Sequence, residues 1–317
     1  MSTPHTSTHP HYDRLIDTAR KLPPLRVAVV HPTNDISLNA ALESARLGLI
    51  SPLLVGPRAK IEAAAQQLGA DLTGIAIIDA PHSHAAAEVA VTMALKGEVD
   101  ALMKGSLHTD ELMGAVVRRE GGLRTSRRVS HCFVMDVPGH AQPLIISDAA
   151  INIAPTLEEK VDIVQNAIDL AHALMMSPVR VAILSAMENV NSKVPSTIDA
   201  ASLCKMADRG QITGAELDGP LAMDNAIDAE AARIKGIVSS VAGRANVLIV
   251  PDLDAGNMVA KSLSFLAHAY AAGVVLGAKV PIILTSRADS EAARLASCAV
   301  ASMLAEAGRR GLTKAVG

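Results

Sequence analysis

Polar residues follow short apolar runs at four places in the sequence. They are Lys104-Gly105-Ser106, Ser147-Asp148, residues 251–257 and Thr285-Ser286-Arg287. Ligands of open α/β sheets bind where parallel strands end. These four places are therefore the candidate ligand sites, and the two that carry a lysine or an arginine suit an anion such as phosphate.

Ser286-Arg287 offers the richest set of anion-binding groups. It follows an apolar run over residues 280–285 and precedes a helix that we predict to begin near Asp289. Backbone amides at a helix start, a hydroxyl and a guanidinium can converge on one phosphate. A serine that caps the helix beside a solvated arginine explains the same pattern.

Lys104-Gly105-Ser106 ends another apolar run and leads into a predicted helix near His108. The glycine permits close approach of the backbone to a ligand, so a phosphate or a carboxylate could bind there. An ordinary strand-to-helix turn with an exposed lysine is the alternative.

The densest basic cluster follows Gly121-Gly122 and suits either an anionic ligand or a solvated loop. Its residues are Arg124, Thr125, Arg127 and Arg128.

Residues 251–257 place Asp252, Asp254 and Asn257 just before an apolar helix, where Asx turns and an N-cap are the structural explanation. For the histidines we predict capping or packing, and no acid-rich spacing around them predicts a metal site. They are His31, His82 and His84.

The elements that position these residues alternate between strands and helices. Short runs typical of buried parallel strands lie at residues 25–30, 52–55, 75–79, 101–104, 179–184, 247–250 and 280–285. Ala-rich segments with helical spacing separate them, one with a face from Val164 to Met175. Residues 131–137 and 143–147 flank Pro138-Gly139 without room for a crossover helix, which predicts an antiparallel pair. Residues 265–284 are predicted as a buried helix, a turn and a strand.

Composition excludes several classes of protein. The formal net charge is −3, and the chain has no Trp, two Tyr and two Phe, so neither a basic stripe nor stacking platforms for bases exist. Charges and prolines interrupt the apolar stretches, which argues against a membrane span. Three distant cysteines favour a reducing cytoplasm over a disulfide framework or a zinc site. Residues 1–11 are predicted to be a disordered tail.

Taken together, the sequence resembles the phosphate acetyl/butyryl transferase family, and more closely its butyryl-like branch. The resemblance runs from about Tyr12 to Met303. It rests on residues 22–32, 103–106, 122–125, 130–131, 147–155, 195–201, 218–222, 239–243 and 251–257, together with Ser286-Arg287.

The resemblance implies a two-lobed α/β/α architecture like that of isocitrate and isopropylmalate dehydrogenases, with the active site in the cleft between lobes. The first lobe would comprise residues 12–135 and 275–317, and the second lobe residues 136–274. A homodimer is also implied.

The implied reaction moves a short acyl group, acetyl or butyryl, between acyl phosphate and coenzyme A by direct thiol attack. Coenzyme A would be a substrate, with no permanently bound cofactor and no metal. Arg287 would hold phosphate bidentately, Ser286 would donate to the thiol or the oxyanion, and Lys104 would complete the anion site. The predicted substrate-binding residues are Lys104, Gly105, Ser106, Arg124, Thr125, Ser130, His131, Asp148, Asp252, Gly256 and Asn257.

One departure from the family concerns the general base. Acetyl-branch enzymes commonly carry an aspartate seven residues after the serine, where this chain has Ala293. Asp289 and Glu291 are nearby substitutes, and Asp289 is preferred as the closer acid, although an N-cap is the more common role of an aspartate at a helix start. Solvent could also deprotonate the thiol.

Two alternative functions follow from the same observations. The missing acid suits a non-catalytic domain that senses acyl-coenzyme A. Available acids suit a metal-dependent oxidoreductase of the related fold, namely Asp148, Asp224, Asp252 and Asp254.

Overall fold

A computed structural model describes residues 8–285 and 289–313 of the chain. Its strands are β1 (Leu25–Val30), β2 (Ile50–Gly56), β3 (Ile77–Asp79), β4 (Ala101–Lys104), β5 (Ser130–Asp136), β6 (Leu144–Ser147), β7 (Arg180–Leu184), β8 (Glu216–Leu221), β9 (Val247–Ile249), β10 (Tyr270–Leu276) and β11 (Ile282–Ile283). Its helices are α1 (Pro10–Ala19), α2 (Asp35–Arg46), α3 (Arg58–Leu68), α4 (Ser83–Leu95), α5 (Thr109–Val116), α6 (Leu157–Ala173), α7 (Pro195–Asp208), α8 (Met223–Ile227), α9 (Ala229–Ile234), α10 (Leu253–Leu266) and α11 (Glu291–Arg309). The predicted alternation of strands and helices is confirmed.

The chain divides into two compact units. The terminal unit comprises Tyr12–Val129 and Ala272–Gly317, and the middle unit comprises Met1–His11 and Ser130–Ala271. The boundaries between the units lie a few residues away from the domain boundaries expected from the sequence. Those expected boundaries stay a prediction.

The terminal unit is built on a sheet with strand order β3-β2-β1-β4-β11-β10. Strand β1 runs parallel to β2 and to β4, and in this register Val30 lies opposite both Val55 and Lys104. Strand β11 also runs parallel to β4, with Ile283 opposite Met103, whereas β10 is antiparallel to β11. The carboxyl ends of β1, β4 and β11 therefore lie side by side, and this is where the sequence places Lys104 and Thr285.

The middle unit has the strand order β5-β6-β9-β7-β8. Strands β5 and β6 form the predicted antiparallel pair, with Cys132 opposite Ser147. Strands β6, β9 and β7 are parallel, and Ile249 lies opposite both Ser147 and Ile183. The carboxyl ends of β6 and β9 are therefore adjacent, so the segments after Ser147 and after Ile249 meet.

Polar side chains mark the helix starts as the sequence suggests. Asn34 caps α2, His82 caps α4 and Asp252 caps α10, each by accepting a backbone N–H of the first turn. Helix α11 is almost entirely buried, and Ser44 of α2 donates to the Cys298 sulfur of α11 at 3.3 Å. Small side chains on both helices permit this close packing.

Three local predictions were wrong. Pro10 and His11, expected in the tail, begin α1, and His9 is buried with its ring stacked on Tyr270 at 3.6 Å. Met175, expected on the apolar face of α6, lies beyond the helix end with a φ of 58° and is 69% exposed. Residues 265–284, predicted as a helix, a turn and one strand, contain only the end of α10, at Leu266, followed by the two strands β10 and β11.

Strand β8 was not predicted at all, since Gly219-Pro220 and two acids interrupt its apolar pattern. Over the described residues, no helix is both long and apolar enough to cross a bilayer.

Candidate functional site

The turn after β4 is fixed by backbone contacts with β1. The Gly105 N–H donates to the Val30 carbonyl at 2.9 Å, and the Ser106 N–H donates to the His31 carbonyl at 3.0 Å. A Cβ at Gly105 would lie 2.3 Å from the Val30 oxygen and 2.7 Å from the His31 oxygen. Because no side chain fits in that space, glycine is required here for steric reasons, and the turn presents Lys104 in one defined place.

The Ser106 hydroxyl is held within the same turn. It donates to the His31 carbonyl at 2.6 Å and lies 2.7 Å from the Thr33 hydroxyl, while the Thr33 N–H donates to it at 3.2 Å. His31 has a φ of 57°, and burial, with a smaller effect of Lys60, lowers the pKa of its imidazole. Ser106 thus orders the loop between β1 and α2.

A small cavity of about 60 Å³ opens at this end of the terminal sheet. Its lining brings together the ends of β4 and β11, the first turn of α2 and one side chain of α11. The lining residues are Asn34, Ile36, Ser37, Ala40, Met103, Lys104, Gly105, Ser106, Thr285 and Arg294. Two of these carry a positive charge and none is a carboxylate, so the cavity suits an anion.

The two cations in the cavity are both buried. Lys104 and Arg294 are each 8% exposed, and Lys104 Nζ donates to the Leu107 carbonyl at 3.2 Å. Burying positive charge costs free energy unless an opposite charge or hydrogen-bond acceptors compensate it. The Gly105 and Leu107 carbonyls already accept from Lys104, and a bound anion would add to this compensation.

Sequence reasoning missed Arg294, because an arginine in the run Glu-Ala-Ala-Arg resembles an exposed helix position. One signal could have identified it. Its neighbours three and four positions on, Ser297 and Cys298, are uncharged and fully buried, which places Arg294 on the inward face of α11.

Ser286 and Arg287 lie outside the described residues. Thr285, the residue before them, is buried and lines the cavity. Ser290 provides the N-cap of α11 and accepts the Ala293 N–H at 3.2 Å, so the capping role considered for Asp289 belongs to its neighbour. Ala293 is buried, at the position where acetyl-branch enzymes carry an acid.

The basic cluster around Arg124 is anchored to the residues after β10. The Thr125 hydroxyl donates to the Gly277 carbonyl at 2.7 Å, and Arg124 forms an isolated bridge with Ala278. The Thr125 hydroxyl also accepts the Arg127 N–H at 3.1 Å. Thr125 therefore orders the loop, while Arg124 is exposed on it.

Four of the predicted residues in the middle unit meet at the ends of β6 and β9. The Asp148 carboxylate is 3% exposed and accepts the His131 N–H at 3.2 Å. A Cβ at Gly256 would lie 2.8 Å from the Asp148 carbonyl oxygen, and Asn257 Nδ2 donates to the Ala149 carbonyl at 3.3 Å. These contacts lock the start of α10 against the turn after β6.

The remaining predicted residues of the middle unit have separate contacts. Asp252 caps α10 by accepting the Ala255 N–H at 2.9 Å, and the Ser130 hydroxyl accepts a hydrogen bond from Asn166 Nδ2 at 2.9 Å. The His131 ring is buried edge-on against Phe133, with 4.4 Å between ring centroids. In this unit the contacts that we see are structural.

The geometry gives little support for a cysteine nucleophile of the chain itself or for a metal site. Burial raises the pKa of Cys132 and of Cys204 to about 12 and that of Cys298 to about 11. These thiols stay protonated at neutral pH and are poor nucleophiles. Over residues 8–285 and 289–313, no three His, Cys, Asp or Glu side chains come close enough to hold a metal ion.

Comparison with known sequences identifies close relatives. A phosphate acetyltransferase of Rhizobium meliloti is 61% identical over 96% of this chain and 96% of the relative. A phosphate butyryltransferase of Clostridium beijerinckii (strain ATCC 51743 / NCIMB 8052) is 38% identical over 93% of this chain and 97% of the relative. Of these two relatives the phosphate acetyltransferase is the more similar in sequence, whereas the sequence motifs suggested the butyryl-like branch.

Comparison with solved structures gives the fold. A branched-chain phosphotransacylase from Enterococcus faecalis V583 matches with a TM-score of 0.78 at 27% identity, over 89% of this chain and 99% of that chain. A 4-hydroxythreonine-4-phosphate dehydrogenase from Burkholderia phymatum matches with a TM-score of 0.54 at 14% identity, over 89% and 98% of the two chains. The second match shows the fold alone, and it confirms the predicted dehydrogenase-like α/β class.

The model of the phosphate acetyl/butaryl transferase family matches residues 82–302, which is more than half of the chain. The resemblance expected from the sequence motifs is thereby confirmed. The chain is a phosphate acyltransferase that belongs to the phosphate acetyl/butaryl transferase family.

Proposed function

We propose that this enzyme transfers an acetyl group between acetyl phosphate and coenzyme A, and that the phosphate group binds in the cavity at the end of β4. The observation that carries the proposal is the lining of this cavity, with Lys104 and Arg294 both buried and no carboxylate among its residues. The acetyl preference is supported by the name of the relative with 61% identity.

The reaction proceeds by direct attack in a ternary complex. The coenzyme A sulfur bonds to the carbonyl carbon, the bond from that carbon to the phosphate oxygen breaks, and the thiol proton passes to a base, either Asp289 or the departing phosphate. An ordinary thiol of this kind has a pKa of about 8.5, so cations close to the reacting atoms promote the attack by stabilising thiolate and departing phosphate.

Individual residues take the following roles in this proposal. The turn at Gly105 positions Lys104, and Lys104 stabilises the negative charge on the phosphate. Arg287 binds the phosphate through two hydrogen bonds, and Ser286 donates a hydrogen bond to the thiol or to the carbonyl oxyanion. Arg124, exposed on an ordered loop, attracts the anionic end of coenzyme A.

The base in this proposal is not an acid at position 293, which is alanine. Asp289 stays the candidate base, with transfer of the thiol proton to the departing phosphate as the alternative. An Asp289→Asn variant separates the two. If Asp289 accepts the proton, the pH dependence of the wild-type rate should be lost in this variant, and otherwise it should persist.

Thioester formation tests the reaction and the acyl preference together. Purified enzyme is mixed with coenzyme A and either acetyl phosphate or butyryl phosphate, and absorbance of the thioester is followed. We expect turnover with both and a higher kcat/KM for acetyl phosphate. Coenzyme A binding without turnover would support the sensor alternative instead, and a preference for butyryl phosphate would overturn the acetyl assignment.

Isotope exchange tests direct attack. Labelled phosphate is incubated with enzyme and acetyl phosphate in the absence of coenzyme A. Direct transfer predicts no label in acetyl phosphate, because the acyl group never leaves phosphate without the thiol. Exchange at a rate near kcat would indicate an acyl-enzyme and refute the ternary mechanism.

We further propose a cytoplasmic homodimer that forms through helix α10. Only Gly256 and Ala260 of this helix are buried, while Met258, Phe265 and Leu266 are 66%, 62% and 80% exposed. Two copies of α10 packed antiparallel about Ser262 would place Leu266 of each opposite Met258 of the other. Such a patch is self-complementary, as a twofold interface requires.

Sedimentation equilibrium tests the dimer. We expect wild-type protein to be dimeric and Phe265→Asp to be monomeric at micromolar concentration. Met175→Asp is the matched control, because Met175 is equally apolar and 69% exposed but lies elsewhere. A monomeric wild type, or a dimeric Phe265→Asp, would contradict the proposal.

A further inference from the structure

The phosphate cavity has a second set of donors besides the strand-end residues discussed so far. Its wall includes the N-terminus of α2, a helix of 12 residues, through Asn34, Ile36 and Ser37. The lining also includes Arg294 from the first turn of α11. The start of α2 carries no sequence motif that points to substrate binding.

Asn34 uses only half of its side chain for the structure of α2. Its Oδ1 accepts the Ser37 N–H at 2.9 Å and the Ser37 hydroxyl at 2.7 Å. Within the described part of the chain its amide nitrogen makes no hydrogen bond, although Asn34 lines the cavity. An asparagine in this position caps the helix and still has two N–H donors for a ligand.

Arg294 completes the set. It is 8% exposed, shares the cavity with Lys104, and precedes the buried face of α11 that packs on α2. A guanidinium matches two phosphate oxygens at once, whereas the Lys104 ammonium acts as a point charge. The partial positive charge at the α2 N-terminus adds to both.

We propose that Arg294 and Asn34 are phosphate-binding residues of this enzyme, and that together with Lys104 they hold the dianionic group of acyl phosphate or inorganic phosphate. This inference rests on the proposed location of the phosphate. It names two residues that touch the substrate, and it makes α2 and α11 direct parts of the site.

The kinetic test uses the reverse reaction, in which acetyl-coenzyme A and inorganic phosphate are the substrates. Arg294→Met keeps most of the aliphatic volume and removes the charge. We expect it to raise the KM for phosphate by about 30-fold or more, since removing one partner of a buried charge pair has this effect, with little change in the KM for acetyl-coenzyme A. Arg294→Lys should retain part of the affinity. Arg309→Met on the exposed end of α11 is the control and should change neither constant.

Asn34→Asp separates ligand binding from helix capping. Aspartate is as good an N-cap as asparagine, so the melting temperature should hold. The new carboxylate would repel phosphate, and we expect the KM for phosphate to rise at least about tenfold. A merely structural role for Asn34 would leave that KM unchanged.

Direct binding keeps this inference separate from the proposed reaction. Inorganic phosphate is titrated into wild type, Arg294→Lys and Asn34→Asp by calorimetry, which requires no turnover. Weaker binding in both variants supports the site even if acetyl transfer is not observed. Turnover in the wild type, with phosphate affinity and KM within about twofold of wild type in both variants, would overturn the inference and leave the reaction standing.

Discussion

The Asp148 carboxylate accepts five hydrogen bonds, and replacing it with asparagine should destabilise the middle unit rather than weaken substrate binding. Oδ1 accepts the N–H groups of Ala150 and Ile151 at 2.9 and 3.0 Å. Oδ2 accepts the His131 and Asn152 N–H groups, both at 3.2 Å, and Asn152 Nδ2 at 2.6 Å. Every one of these partners is a donor, so the site needs two acceptor oxygens.

The magnitude follows from this count. An asparagine keeps one oxygen and turns an NH₂ group towards the remaining donors. In the better orientation the oxygen faces the three donors at Oδ2, and the two backbone donors at Oδ1 lose their acceptor. A fully buried donor left without a partner costs about 1–3 kcal/mol, and these two are partly buried, so the total is at most about 6 kcal/mol. For a unit of this size the melting temperature falls by about 2–4 °C per kcal/mol, so the fall should be at most about 24 °C.

Circular dichroism melts and acyl-transfer rates measured on the same samples decide between the two roles. We expect Asp148→Asn to melt early and to retain kcat per folded molecule at low temperature. Asp254→Asn makes the same chemical change at an exposed position on α10 and should leave both unchanged. A normal melting temperature with a large loss of kcat/KM would refute the structural role and restore Asp148 to the substrate-binding set.

Three further predictions concern the terminal unit and the buried thiol. Gly105→Ala should destabilise by about 1–3 kcal/mol or more, because its Cβ would lie 2.3 Å from a β1 carbonyl oxygen, whereas Gly114→Ala, with nothing within 4 Å, should be neutral or stabilising in the same melts. Arg26 donates two hydrogen bonds to Asp100 and holds the pKa of that carboxyl below its usual value. The pair therefore stabilises the fold fully at pH values above the pKa of Asp100 in the unfolded chain. This stabilisation is lost as the pH falls through the lowered pKa of the folded protein. Asp100→Asn should therefore cost at most about 1 kcal/mol at pH 7, and urea melts should show the difference disappearing in acid. Cys132, with a pKa raised to about 12 by burial, should resist iodoacetamide at pH 8 until urea exposes it, and fast labelling in the native state would contradict its burial.

Most of the fold could be predicted from the sequence, because its parallel strands are buried on both faces and appear as continuous apolar runs. The exceptions have local causes. Strand β8 contains Gly219-Pro220, which breaks the pattern, and β10 carries the small residues Ala271-Ala272-Gly273 after Tyr270, which resemble the preceding helix. In both cases neighbouring strands stabilise a segment whose own propensity is weak.

The site could be predicted in part. Lys104, Gly105 and Ser106 were predicted because a strand end followed by glycine has a recognisable sequence, and all three line the cavity. Arg294 was missed, since its burial depends on how α11 packs on α2, and no local pattern encodes that contact. The five donors around Asp148 could not be predicted, because most of them come from a turn whose geometry only the fold reveals.

The most direct test of the central claim is the dependence of acyl transfer on phosphate in Lys104→Gln. Initial rates of acetyl-coenzyme A phosphorolysis are measured against phosphate concentration for this variant and for wild type. If the cavity at the end of β4 holds the phosphate, kcat/KM for phosphate falls by about 30-fold or more while the KM for acetyl-coenzyme A changes little. Unchanged phosphate kinetics in a folded Lys104→Gln enzyme would place the phosphate elsewhere and contradict the account.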